Sequence, residues 1–90
     1  MVKGTTKDGF KFSVDPDNVR DMRVVELAAK AQHDGLYVPE LADRVLGHNQ
    51  KEKLYDFLAD SKGRVNPDKF GEALEEIMTA VNQNEETKNS

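Results

Sequence analysis

Phe10, Phe12 and Val14 alternate with Lys11 and Ser13, a period of two that predicts a strand buried on one face only. Just before it, Asp8-Gly9 is a turn dipeptide, because Gly takes φ > 0 at no steric cost and Asp can bond its own backbone. Together they predict a β-hairpin with strands at about 2–6 and 10–14. A lone two-stranded hairpin is marginal in water, so it must rest on helices or pair with another chain.

Beyond residue 15 the period is helical. Asp15-Pro16 and Asp21 offer two N-caps for a first helix at about 16–33, with a start anywhere between 16 and 22. Seven of the ten residues from Met22 to Ala31 are apolar. Val24, Leu27, Ala28 and Ala31 form one stripe, and Met22, Val25 and Ala29 a neighbouring one. So wide a stripe predicts a central helix buried on more than one side. His33-Asp34-Gly35 supplies a terminating Gly. A second helix is predicted at about 39–46, opened by Val38-Pro39 and closed by Gly47, with Leu41, Ala42, Val45 and Leu46 inward. The third, at about 49–59, turns Leu54, Phe57 and Leu58 inward and leaves Lys51, Glu52, Lys53 and Asp56 in solvent. Asn66-Pro67 caps a fourth at about 67–82, marked by Phe70, Leu74, Ile77, Met78 and Val81. Residues 83–90 contain no apolar side chain and read as a disordered polar tail. The fold class is therefore α+β, mostly α: one small domain at 1–82 with an N-terminal β-hairpin and four short helices.

Composition narrows the function classes. The net charge is −4, and the 13 Lys and Arg residues are scattered, which argues against nucleic acid as a partner, since phosphate binding needs clustered cations. There is no Cys, consistent with a reducing cytoplasmic setting. No stretch reaches the ~18 apolar residues of a membrane span. No metal or other cofactor is expected. Asp60–Phe70 has the look of an EF-hand loop, but aligning Gly63 with loop position six places Leu58, Lys62 and Lys69 where calcium needs oxygen ligands. His33 and His48 lack the Cys or carboxylate partners of a metal cluster. Glu72, Glu75 and Glu76 read as the solvated face of an amphipathic helix rather than a general acid–base pair. Gly71, inside the fourth helix, either permits close approach of another backbone or is neutral. The chain is therefore read as non-enzymatic, with no catalytic residues.

The functional signal left is surface. A hairpin has two backbone edges, and Lys3, Lys7 and Lys11 read equally as protection of an edge or as bystanders beside a pairing site. Thr5 on that edge, Tyr37 before Pro39 and Tyr55 beside Leu54 are the candidate protein-interaction residues, the two tyrosines as interface anchors.

This layout resembles the small tail assembly chaperones of long-tailed siphophages, especially those of phages or prophages of Gram-positive hosts. The residues that carry the likeness are Gly4–Val14 for the hairpin, Val24-Val-Glu-Leu-Ala28, Leu46-Gly47, Gln50–Leu58, and Gly63-Arg-Val65 ahead of the last amphipathic helix. The chain departs from the pattern at Ala28, Ala29 and Ala31, where bulkier residues of the Leu type are expected. The resemblance implies a cytoplasmic, oligomeric, non-enzymatic protein that binds the helical tape measure protein and keeps it soluble during tail morphogenesis, self-associates, and is absent from the mature virion. It also implies a longer product made by −1 ribosomal slippage. Thr87-Lys88-Asn89 can be encoded by a slippery A-AAA-AAC or A-AAA-AAT heptamer; the tail then reads as a linker, and otherwise as a frayed terminus. The alternative reading is a cytoplasmic bacterial or prophage adaptor or regulator that holds one globular protein.

Overall fold

The computed structural model describes residues 1–89, with side chains up to Gln83. Strands β1 (Val2–Thr5) and β2 (Lys11–Val14) form an antiparallel hairpin. Helices α1 (Met22–His33), α2 (Val38–Leu46), α3 (His48–Leu58) and α4 (Pro67–Asn89) follow. The fold is α+β and mostly α.

The hairpin forms as its pattern requires, but Thr6 and Phe10 belong to the turn rather than the strands. Thr6 donates its N–H to Phe10 O (2.8 Å) and accepts from Gly9 N–H (2.9 Å), while its hydroxyl accepts from Phe10 N–H (3.1 Å). Those bonds allow a polar Thr6 to lie buried. Gly9 sits at φ +105°, a conformation that favours glycine. Val2, Phe10, Phe12 and Val14 face the core together.

The register pairs Val2 with Val14, Lys3 with Ser13, Gly4 with Phe12 and Thr5 with Lys11. Hydrogen-bonded and non-bonded pairs alternate in an antiparallel ladder. Because the Thr6–Phe10 pair is bonded, the backbone groups of Thr5 and Lys11, and of Lys3 and Ser13, point away from the partner strand. The Gln50 side chain of α3 takes both outward groups of Ser13, accepting from its N–H (2.7 Å) and donating to its carbonyl (2.9 Å). On the other edge, Lys3 and Thr5 are exposed, and their outward groups have no partner among the described residues. Glu76 of α4 accepts the N–H of Lys7 just past that edge (2.7 Å).

The helix predicted at 16–33 is two elements. Asp15 caps a single 3₁₀ turn, Pro16–Asn18, and Asp21 caps α1, accepting from Arg23 N–H at 2.8 Å. Each Asp starts its own turn, so both candidate caps are used. The α1 helix is not central. It buries Val24 and Leu27, while Met22 and Val25 remain 72% and 50% exposed and Ala29 lies in solvent. Among the described residues, nothing covers that side.

Two corrections fall on α3. Phe57 is 44% exposed, its ring tilted by 60° against that of Phe10 with centroids 5.5 Å apart. Lys51, expected in solvent, is only 8% exposed, because it lies one turn from fully buried Leu54 on the inward face. Ala28, Ala31, Leu58 and Met78, expected in the core, pack partly buried against it; Val2, Val19, Ala73 and Val81 join it. The α4 helix continues past 82 through Asn89, over the residues predicted as a disordered tail. No Gly or Pro interrupts 83–89, so nothing in the sequence stops the helix. Ser90 lies outside the described residues. Among the described residues, no helix is long and apolar enough to cross a membrane.

Candidate interaction groove

The α1 helix packs on α2, and α2 on α3, but α1 makes no extensive contact with α4. The gap is a groove of about 870 Å³. Its most buried lining residues, Leu41, Phe70 and Leu74, form the floor. The α1 wall carries Ala28 and Ala31, and the α4 wall Gly71 and Met78. Small side chains are the reason the gap exists. An added Cβ at Gly71 meets nothing within 4 Å, so this glycine faces open space rather than a close backbone.

Tyr55 lines the groove, its ring against Phe70 at 4.9 Å. An ionic cluster below the ring fixes its place. Lys51 Nζ lies 2.9 Å from Asp43 Oδ1 and 5.6 Å from the Tyr55 ring centroid, and His48 Nδ1 lies 3.6 Å from the same carboxylate oxygen. The cluster ties α2 to α3. The Lys51 ammonium held against Asp43 keeps the carboxyl below its ordinary value, and the carboxylate keeps the ammonium above its own, against the opposing effect of desolvation.

Asp68, Glu72 and Glu75 stand along the α4 rim of the groove, exposed and without an ion-pair partner among the described residues, and no Lys or Arg lines it. The remaining polar lining is neutral: Gln32, Thr79 and Asn82.

Of the three sequence-predicted interaction residues, only Tyr55 belongs to this groove. Tyr37 is half-buried outside it, with the Lys30 ammonium 5.5 Å from its ring centroid. Thr5 sits on the open edge of β1. The structure therefore does not bring the three together. In the sequence Glu72 and Glu75 have the pattern of a solvated face, and the groove leaves its trace in the small Ala28 and Ala31 and in Gly71. In the loop taken apart as an EF-hand candidate, Asp60 turns its carboxylate onto its own backbone, accepting from Lys62 N–H (2.8 Å) and Arg64 N–H (3.0 Å). These bonds hold its pKa down. No family model, curated protein or solved structure matches the chain.

Proposed function

We propose that this protein is a non-enzymatic tail assembly chaperone of the siphophage type, which binds the tape measure protein in the host cytoplasm and self-associates during tail morphogenesis. The observation that carries the reading is the groove between α1 and α4. It is open, apolar at its floor and carries the small residues Ala28, Ala31 and Gly71 on its walls, which leaves room for an α-helix to approach closely. A tape measure protein is an elongated series of such helices. The likeness of the hairpin-and-helix order to that family supports the same reading.

Two tests address it. If the gene immediately downstream encodes a tape measure protein, co-expression should keep that product soluble and co-purify it with this chain, and purified virions should lack the chain. An insoluble downstream product that never co-purifies would refute the proposal. The codons of 87–89 give a separate check on the longer product: slippage at the heptamer is excluded if codon 87 does not end in A or if codon 88 is AAG.

A further inference from the structure

We infer that the α1–α4 groove takes an amphipathic helix with a one-sided basic flank, its apolar stripe on Phe70, Leu74 and Met78 and its Lys or Arg residues on Glu72 and Glu75. The inference rests on the reading of the groove as a helix-binding site and adds the chemistry of the occupant.

The argument is charge complementarity on an asymmetric rim. The α4 side presents three carboxylates, Asp68, Glu72 and Glu75, without an ion-pair partner among the described residues, whereas the α1 side carries no charge, its polar lining being Gln32. Positions 68, 72 and 75 follow the spacing i, i+4, i+7, so these carboxylates run along one helix face. A bound helix lying alongside α4 would meet them with cations at similar intervals on one flank only. An acidic or polyanionic occupant would bring like charges together at the mouth of a low-dielectric groove. The small wall residues Ala28, Ala31 and Gly71 let the backbone of the occupant approach closely.

The test uses the full chain and two synthetic Ala-rich peptides of about 20 residues, long enough to span ~30 Å as helices. Both carry the same Leu stripe; one has Lys along one flank at i, i+4 and i+7, the other Glu at the same places. The Lys peptide should bind at least ~10-fold more tightly than the Glu peptide, with an advantage that shrinks as salt rises. In the double variant Glu72→Lys/Glu75→Lys the preference should invert, so that the Glu peptide rescues binding to a surface the Lys peptide has lost. Gly71→Leu, whose Cβ starts in open space in the groove, should abolish binding of the Lys peptide while circular dichroism shows the helices intact.

Equal affinity for the two peptides, no binding of either, or binding that survives Gly71→Leu would overturn the inference. So would self-association of the free protein that Gly71→Leu abolishes, since that gives the groove to a second copy. Failure here is separable from failure of the proposed function: a tape measure protein that co-purifies, while the peptides are not discriminated, leaves the chaperone reading standing and removes only the charge rule.

Discussion

Replacing Gly71 with Ala should stabilise the protein. Gly71 lies inside α4 in ordinary helical conformation and is not among the glycines at positive φ, which are Gly9, Gly47 and Gly63. A Cβ added there meets no atom within 4 Å, so no clash offsets the gain. Within a helix Ala is favoured over Gly by roughly 0.8–1.0 kcal/mol, largely through the smaller entropy lost on folding. The new methyl faces an open groove and adds little burial. The net gain should be ~0.5–1 kcal/mol, or roughly 2–8 °C in Tm for a domain of this size. Urea unfolding followed by circular dichroism reads it directly, as a higher midpoint with an unchanged slope. Gly47→Ala and Gly63→Ala are the controls. Both sites are equally open, but their φ of +81° and +79° strains an alanine, and both changes should destabilise. A Gly71→Ala variant that melts at or below the parent, or controls that match it, would refute the argument that conformation rather than space decides at these positions.

Leu54→Ala should cost on the order of 2–5 kcal/mol because Leu54 is fully buried. Phe57→Ala, at a site 44% exposed, should cost nearer ~1–2 kcal/mol, and equal losses in paired melts would show that α3 is oriented differently. Asp43 and Asp60 have folded pKa values below the ordinary 3.8, so their contribution is present above that value and is lost as pH falls through the lowered ones. Lys51 is raised above 10.5, so its share is present below that pH and is lost as pH rises further; Lys51→Met should remove the alkaline loss and shallow the acid one, and unchanged limbs in a pH-dependent melt would exclude the pair as their cause. Thr5→Pro removes an outward N–H from the open edge of β1, which an edge strand tolerates. It should abolish any oligomer built on that edge without lowering helicity, and light scattering that still shows the oligomer places its contacts elsewhere.

What could be read from the sequence was what periodicity controls. Phe10, Phe12 and Val14 sit in the core because alternate strand residues share a face. Leu41, Val45, Leu74 and Ile77 sit there because residues three or four apart share a helix face. Errors arose where residue identity stood in for environment. Lys51 carries a charge, yet its alkyl stem can lie in the core while its ammonium reaches Asp43. Met22, Val25 and Phe57 are apolar, yet a small fold has no further element to cover them. The groove was least legible, because it is made by missing bulk. Ala28, Ala31 and Gly71 could be named as odd in the sequence, but only the spacing of α1 from α4 shows that their oddities add up to one space.

The Gln50 clamp also limits how large a hairpin-built assembly can become. With the Ser13 groups of β2 occupied by a side chain, only Lys11 keeps outward groups on that edge, too few to seat another strand, so the sheet extends from β1, through Lys3 and Thr5. Two copies meeting β1 to β1 would make a four-stranded sheet with a clamped strand at each end, and growth would stop there. Such a contact is self-complementary and closes at two. A ring or spiral therefore needs a second, different surface, whereas loss of the Gln50 amide would leave every added copy a template for the next, turning a terminating dimer into a fibre.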